Sequence, residues 1–171
     1  RIELLASSLP ETDQAREVQE LLGTAIEITR TLSVDLSPPV LEGGGIAEGL
    51  EWLARQMHEL HGLTVRVQAE PLPQELPRDT ITLLLQLVRE LFFNVAKHAG
   101  VRDASVVVAK EAGGLRLDIV DHGRGFNPDE VQEGFGLVSV RERVDLLGGT
   151  LEIASQEGSG TRTTLRLPSR S

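Results

Sequence analysis

The stretch RELFFNVAKHAG, Arg89 to Gly100, decides the fold because it joins a buried helical face to a polar one. Apolar residues recur at helical spacing over residues 80–99, which predicts one long helix packed along that side. Four polar or charged residues interrupt the apolar run: Glu90, Asn94, Lys97 and His98. Their separations of four, three and one residues predict that they share one side of the helix.

This polar side is suited to binding a metal ion and an anion. The carboxylate of Glu90 and the amide oxygen of Asn94, one turn apart, are hard oxygen donors that can hold or orient Mg²⁺. Lys97 supplies a point charge for phosphate. An ordinary amphipathic helix with its polar side in water has the same spacing, so the pattern alone leaves both interpretations open.

Composition limits the partners of the chain. Its 171 residues, 40% of them hydrophobic, suffice for one core with a small appendage. The formal charge of −9 argues against nucleic acid or an anionic membrane as the main partner. There is no cysteine, so a disulfide framework is excluded and a reducing, intracellular setting is compatible. No apolar run approaches the ~18 residues of a membrane span, and nothing resembles a signal peptide, so we expect a soluble piece.

The first third of the chain has helical patterns. Apolar residues step by three and four from Val18 to Leu32, a coiled-coil-like stripe that needs a partner helix. A stop at Ser37 to Pro39 ends this helix, and a further helix is expected over residues 46–60. We therefore predict a helical module at residues 1–41 and a second domain at residues 42–171.

The remainder alternates strands with helices. Five strands rich in β-branched residues are predicted, at residues 63–68, 104–111, 115–121, 150–156 and 161–168. A helix over residues 137–147, closed by two glycines, separates the third strand from the fourth. With helices on one side of the sheet, this order predicts an α+β fold, a two-layer α/β sandwich.

Three glycine motifs follow the opening stretch. In DHGRGF, the Asp121 carboxylate at a strand end can accept a hydrogen bond from an exocyclic amine, while Gly123 and Gly125 permit positive φ or close approach to a flat ligand. In GFGLVSVRERV, glycines from Gly134 lead into a helix N-terminus, which attracts anions. In GSGT, Thr161 follows a glycine turn and can bond a base edge. Each motif alone is also typical of a plain turn or helix start.

Taken in order, the motifs RELFFNVAKHAG, DHGRGF, GFGLVSVRERV and GSGT resemble the ATP-binding domain shared by histidine kinases, type II topoisomerases, Hsp90 chaperones and MutL-type repair proteins. Together with LSPPVL at residues 36–41 and GIAEGLEWLA after it, they are most similar to sensor histidine kinases that pair with NarL-type response regulators. The resemblance implies a Bergerat-type ATP-binding fold behind a partial helical dimerisation hairpin, with ATP and Mg²⁺ as cofactors. It also implies a homodimer through the helical module, a NarL/FixJ-type regulator as partner, and a cytoplasmic location in a parent that can be membrane-anchored.

The resemblance implies roles for the polar helix side. Asn94 would be the Mg²⁺ ligand, and Glu90 would orient water on that metal or act as a base. Lys97 and His98 would contact the phosphates. Phe93 stands where relatives more often carry a small or aliphatic residue, and it would either narrow the pocket or pack beneath the lid.

The resemblance also implies that nucleotide-binding residues extend over the glycine motifs: Asp121, Gly123, Gly125, Gly134, Gly136, Leu137 and Thr161. Asp121 would receive the adenine amine, with the next two glycines as the floor of the base pocket and Thr161 assisting through water. Residues 127–135 would form a lid, with Gly134 and Gly136 as hinges and phosphate cradle.

None of the four histidines fits the acceptor of such a kinase. His98 and His122 lie in the nucleotide motifs, and His58 and His61 are expected at the surface near a helix end. The opening RIELLASSLP matches the tail of the first dimerisation helix. We therefore expect this fragment to bind ATP without phosphorylating itself.

Three other functions use related motifs. An anti-sigma serine kinase shares the ATP domain but would not carry LSPPVL or the coiled-coil-like helix. A nucleotide-free scaffold is disfavoured because all four motifs keep their chemically necessary residues. A topoisomerase or chaperone ATPase needs further domains and a longer lid.

Overall fold

The computed structural model describes residues 45–71, 76–111, 113–127 and 135–168. The chain divides into two units, Arg1–Pro38 and Pro39–Ser171. The described residues belong to the second unit. The predicted helical module and its apolar stripe lie outside the described residues, so the boundary at residue 41 stays a prediction.

The described elements alternate helices with strands: α1 Ile46–His61, β1 Thr64–Ala69, α2 Arg78–Asn94, a π-turn at Val95–Ala99, β2 Asp103–Glu111, β3 Gly114–Asp121, α3 Phe135–Leu146, β4 Thr150–Gln156 and β5 Gly160–Pro168. The strands form a five-stranded sheet in the order β1-β2-β3-β5-β4. β1 pairs parallel with β2 because α2 crosses between them, and the other pairs are antiparallel. This arrangement confirms the predicted α+β two-layer sandwich.

Capping signals explain where α1 begins and ends. The amide of Gly45 donates to the carboxylate of Glu48 at 3.0 Å, which satisfies a donor at the helix start. Gly62 ends the helix in the left-handed region, at φ +64°. Its amide donates to the carbonyl of His58 at 2.9 Å, and the Arg102 guanidinium donates to the carbonyl of His61 at 3.3 Å.

Two predicted helices differ from the observed ones. The helix expected over residues 80–99 is α2 followed by a π-turn at Val95–Ala99. The helix expected from residue 137 begins two residues earlier, at Phe135. Gly136 therefore lies inside the first turn of α3 rather than in the loop ahead of it, and its role as a hinge stays a prediction.

The core lies between the helices and one face of the sheet. Leu84 and Leu87 of α2 are fully buried with Val106, Leu117 and Leu165 of the three central strands. Alternation along each strand directs these side chains to one face.

The opposite face of the sheet carries charged side chains. Arg116 lies 3.0 Å from Asp118, and Arg166 lies 3.2 Å from Glu111 and 3.1 Å from Glu152. The pairs of Arg166 are exposed and add little stability, whereas Asp118 is largely buried and also accepts a hydrogen bond from Thr164 at 2.8 Å. The exposed charges keep this face compatible with water. Within the described ranges, no helix is long and apolar enough to cross a bilayer.

Leu84→Ala is expected to lower the free energy of unfolding by about 2–5 kcal/mol, since it removes three fully buried carbons from a packed core. Leu60→Ala is the matched control because Leu60 is 56% exposed, and its effect should stay within about 0.5 kcal/mol. Urea denaturation measures both variants. Equal losses would contradict this assignment of the core.

Candidate functional site

A row of polar residues crosses the sheet where β3 ends. Asp121 of β3 pairs in register with Thr161 of β5, and Thr161 pairs with Ser155 of β4. Residues in register on neighbouring strands present their side chains to the same face. The two rows behind this one are apolar apart from Thr163, so the polar groups are confined to one end of the core face.

The loop after β3 packs against the end of the π-turn. The carboxylate of Asp121, which is 5% exposed, accepts a hydrogen bond from the Gly123 amide at 2.9 Å. The amide of Arg124 donates to the carbonyl of Ala99 at 2.8 Å. A side chain on Gly123 would overlap Ala99. The motifs RELFFNVAKHAG and DHGRGF therefore meet backbone to backbone.

The same loop also packs against the β4–β5 hairpin. The amide of Gly158 donates to the carbonyl of Arg124 at 2.6 Å. Gly125 has φ +59°, and a side chain there would overlap the carbonyls of Gln156 and Gly160. Only glycine accommodates both the left-handed backbone and this approach.

The polar side of α2 contacts the start of α3. A Cβ on Gly136 would overlap Oε1 of Glu90, so the missing side chain is what admits the carboxylate. Glu90 and Asn94 are half-buried, and Leu137 packs beside the core in the same first turn of α3. Gly134, the other predicted cradle residue, lies outside the described residues.

A π-turn follows Asn94 directly. A π-turn bonds residue i to i+5, so it spreads one turn over an extra residue. Residue 98, four positions after residue 94, lies on the same side as residue 94. Lys97 lies over the ring of Phe93, with Nζ 5.8 Å from the centroid, a cation–π contact. The prediction that positions 90, 94, 97 and 98 form one continuous side stays a prediction.

Phe93 has a neighbour that the sequence did not predict. Its ring meets His61 of α1 edge-on, with centroids 5.4 Å apart and an interplanar angle of 76°. His61 is half-buried, whereas His58 is exposed as expected. The ring of Phe93 thus stands between His61 and Lys97 and connects α1 to the polar end of α2.

His98 lies in a positive environment. Burial lowers its pKa below the ordinary 6.5, and the charges of Lys97 and Arg124 lower it further. Arg124 comes from the loop after β3, so two motifs contribute cations to one end of the site. Positive groups held close together in this way attract a polyanion.

The structure therefore brings together most of the predicted site residues. Asp121 and Thr161 are adjacent in register, Gly123 and Gly125 line the contacts between loop, π-turn and hairpin, and Glu90 meets Gly136. Sequence reasoning missed Ser155 and Arg124. The alternation of β4 directs Ser155 to the core face, where a polar residue is unusual, and this signal was available in the sequence.

A two-layer sandwich in which glycine loops converge on a polar helix defines a nucleotide-binding class of domain. The family model described as histidine kinase-, DNA gyrase B- and HSP90-like ATPase matches residues 79–171, more than half of the chain, and the chain belongs to this family. Membership implies ATP binding.

Relatives and solved structures agree with the family. The chain is 30% identical to the sensor histidine kinase LiaS of Bacillus subtilis (strain 168) over 154 residues, which are 90% of this chain and 42% of LiaS. The histidine kinase domain of the Erythrobacter litoralis EL346 blue-light activated histidine kinase superposes with a TM-score of 0.64 at 25% identity, covering 72% of this chain and 61% of that one. The Acinetobacter baumannii histidine kinase AdeS shares the fold, with a TM-score of 0.65 at 16% identity over 98% of this chain and 90% of AdeS. The chain is thus similar to histidine kinases and spans less than half of LiaS.

The residues present fit a magnesium nucleotide. Gly123 and Gly125 let the loop pack against Ala99 and the β4–β5 hairpin, and the Gly123 amide donates to the buried Asp121 carboxylate at 2.9 Å. Glu90 and Asn94 offer oxygen donors of the kind Mg²⁺ prefers. Within the described residues, no group of three or more His, Cys, Asp or Glu side chains forms a metal cage. Mg²⁺ commonly uses one or two protein ligands and completes its shell with phosphates and water.

The lowered pKa of His98 predicts acid sensitivity. At a pH between the pKa of His98 in the folded protein and its ordinary value of 6.5, the unfolded chain binds more protons than the folded chain. The free energy of unfolding therefore falls as the pH drops through this window. His98→Gln removes this titration. The melting temperature of His98→Gln should therefore fall less than that of the wild type between neutral pH and a pH below 6.5. An equal fall of the melting temperature in the two proteins would contradict the positive surroundings assigned to His98.

Proposed function

We propose that the chain is the ATP-binding catalytic region of a two-component sensor histidine kinase. In this proposal it supplies the phosphoryl group for autophosphorylation of a histidine on a helical dimerisation module, and the group then passes to an aspartate of a response regulator. Family membership and the similarity to LiaS support the kinase assignment.

The observation that carries the proposal is the convergence of separate motifs on one helix. The side of α2 meets α3 through Glu90 and Gly136, while its continuation meets the loop after β3 through Ala99 and Gly123. A plain amphipathic helix with its polar side in water has no need for glycines at both contacts. The water-facing interpretation of the polar side is therefore disfavoured.

The base of the nucleotide is assigned to the end of β3. Asp121 is buried and faces the same side of the sheet as Thr161. A shielded carboxylate can accept a hydrogen bond from the exocyclic amine of adenine. The neighbouring glycines let the loop pack against the π-turn and the hairpin, which fixes the position of this carboxylate.

The phosphates are assigned to the π-turn. Lys97 and His98 are both exposed in this turn. Lys97 and Arg124 supply positive charge close to the end of α2, and the lowered pKa of His98 favours the neutral form of its ring beside them. Transfer of a phosphoryl group depends mainly on positioning and on neutralisation of charge, which such groups provide.

Glu90 and Asn94 would hold the Mg²⁺ ion that accompanies the phosphates of the nucleotide. Asn94 would bind Mg²⁺ through its amide oxygen, and bound Mg²⁺ would neutralise phosphate charge. Glu90 would orient water near that metal or accept a proton as a base. Its contact with Gly136 ties this carboxylate to the end of the lid segment.

The finer assignments depend on the sequence. The segment LSPPVL and the motif wording favour a NarL/FixJ-type regulator as the partner, and the stripe from Val18 to Leu32 favours a homodimer through the helical module. The net charge of −9 argues against nucleic acid as a partner.

Asp121→Asn should abolish the thermal stabilisation by Mg-ADP. If the new side-chain amide presents its NH₂ group to the adenine amine, it cannot accept the hydrogen bond. If it presents its oxygen, the hydrogen bond forms but is weaker because the acceptor is no longer charged. Asn94→Ala should have a similar effect by removing the metal ligand. Differential scanning fluorimetry with and without Mg-ADP measures the shift.

Asp103→Asn is the matched control, because Asp103 is an exposed carboxylate at the start of β2. It should keep the full Mg-ADP shift. A wild-type protein without any shift would favour the nucleotide-free scaffold over the kinase.

Gly136→Ala should weaken the magnesium dependence of nucleotide binding with little loss of stability. The added methyl group displaces the flexible carboxylate of Glu90, while alanine suits a helix better than glycine by about 1 kcal/mol. The measured quantity is the ratio of the ADP dissociation constants in EDTA and in Mg²⁺. This ratio should fall several-fold from its wild-type value.

Val138→Ala is the control for this variant, since Val138 lies in the same part of α3 and is 40% exposed. It should leave the ratio unchanged. A wild-type ratio in Gly136→Ala would show that the position of Glu90 does not matter for the metal.

A further inference from the structure

The hydroxyl of Ser155 joins three parts of the site. Its Oγ lies 2.9 Å from the amide nitrogen of Phe126, 3.1 Å from the carbonyl oxygen of Gly160 and 3.0 Å from Oγ1 of Thr161. Phe126 belongs to the loop after β3, whereas the other two residues begin β5. Ser155 is half-buried at the core face of β4.

Two of these partners leave no choice of direction. A backbone amide only donates, so Ser155 accepts from Phe126. A carbonyl oxygen only accepts, so Ser155 donates its single proton to Gly160. The hydroxyl of Ser155 has then used its only proton.

The third partner must therefore donate. Ser155 has a second lone pair and no further proton, so the hydrogen bond between the two hydroxyls uses the proton of Thr161. Thr161 keeps two lone pairs and has no proton left for a ligand. It can act toward a ligand or an ordered water only as an acceptor.

Asp121 adds acceptors beside Thr161. The two residues are paired in register across β3 and β5, and the Asp121 carboxylate offers only acceptors when ionised. The side chains of Asp121 and Thr161 thus offer a ligand hydrogen-bond acceptors and no donor. Adenine carries an amino donor at position 6, whereas guanine and hypoxanthine carry a carbonyl acceptor there.

We infer that Ser155 is a specificity-determining residue that holds the Thr161 hydroxyl as an acceptor and so favours adenine over 6-oxo purines. This inference rests on the proposed binding of ATP at Asp121. Ser155 itself need not touch the nucleotide, so it is a positioning residue. Without it, the Thr161 hydroxyl rotates freely and donates to a 6-oxo group.

The test compares Mg-ADP with Mg-IDP by isothermal titration calorimetry. Inosine diphosphate has a carbonyl at position 6 and no amino group at position 2. A steric clash of a 2-amino group therefore cannot contribute to the difference in affinity. The wild type should bind ADP more tightly than IDP. In Ser155→Ala the ratio of the two dissociation constants should shrink by roughly three- to tenfold, the range expected from one hydrogen bond.

Two controls separate this role from a purely structural one. Ser155→Thr keeps the hydroxyl and should restore the wild-type ratio. Ser159→Ala removes an exposed serine from the same hairpin and should leave the ratio unchanged. A structural defect would weaken both nucleotides by the same factor, so an unchanged ratio in Ser155→Ala overturns the inference.

A second measurement does not require the variant to fold. Neutron diffraction from deuterium-exchanged wild-type crystals locates the hydroxyl deuterons directly. A Thr161 deuteron directed at Ser155 supports the inference, and a Ser155 deuteron directed at Thr161 overturns it. Wild-type protein that binds neither nucleotide would refute the proposed function instead, which keeps the two failures distinct.

Discussion

The arrangement of the site depends on one close approach, between the loop after β3 and the π-turn that continues α2. Arg124 donates to Ala99 at 2.8 Å, and Gly123 lies so near Ala99 that a side chain would not fit. The loop then turns at Gly125, where a positive φ lets it pass beneath the β4–β5 hairpin. A backbone fixed on both sides holds the Asp121 carboxylate still, and a fixed acceptor discriminates between ligands better than one that must be ordered on binding.

The π-turn is the irregular part of the helix, and the loop after β3 contacts its last residue, Ala99. The turn follows Asn94 directly, and within it Lys97 lies over the ring of Phe93. π-turns are rare and are found frequently at functional sites. Here the turn carries His98, whose pKa is lowered by burial and by the charges of Lys97 and Arg124. The turn and the loop after β3 therefore contribute charge to the same end of the site.

Sequence patterns predicted the regular elements well, because alternation and helical periodicity are local properties. The strand at Thr150–Gln156 matches its prediction, and the other strands differ only near their ends. The π-turn could not be predicted in this way, since the sequence VAKHA has no local signal for it. The role of Ser155 depends on the register of β4 with β5 and on a loop 29 residues earlier, neither of which spacing along the chain determines. The resemblance of four motifs, rather than periodicity, identified the candidate residues, and it carried no information on which hydroxyl donates to which.

Charge has to be considered locally rather than over the chain. The net charge is −9, which by itself would repel a nucleotide polyphosphate. Lys97, His98 and Arg124 nevertheless come together from two separate motifs at one end of the site. Because exposed charges are screened over about 8–10 Å at physiological ionic strength, nearby cations outweigh distant carboxylates at that end. In the proposed complex, Glu90 would meet the metal ion and Asp121 the adenine amine. Each end of the site would then be matched to a different part of one ligand, and this matching requires the loop, helix and hairpin to be held in a single arrangement.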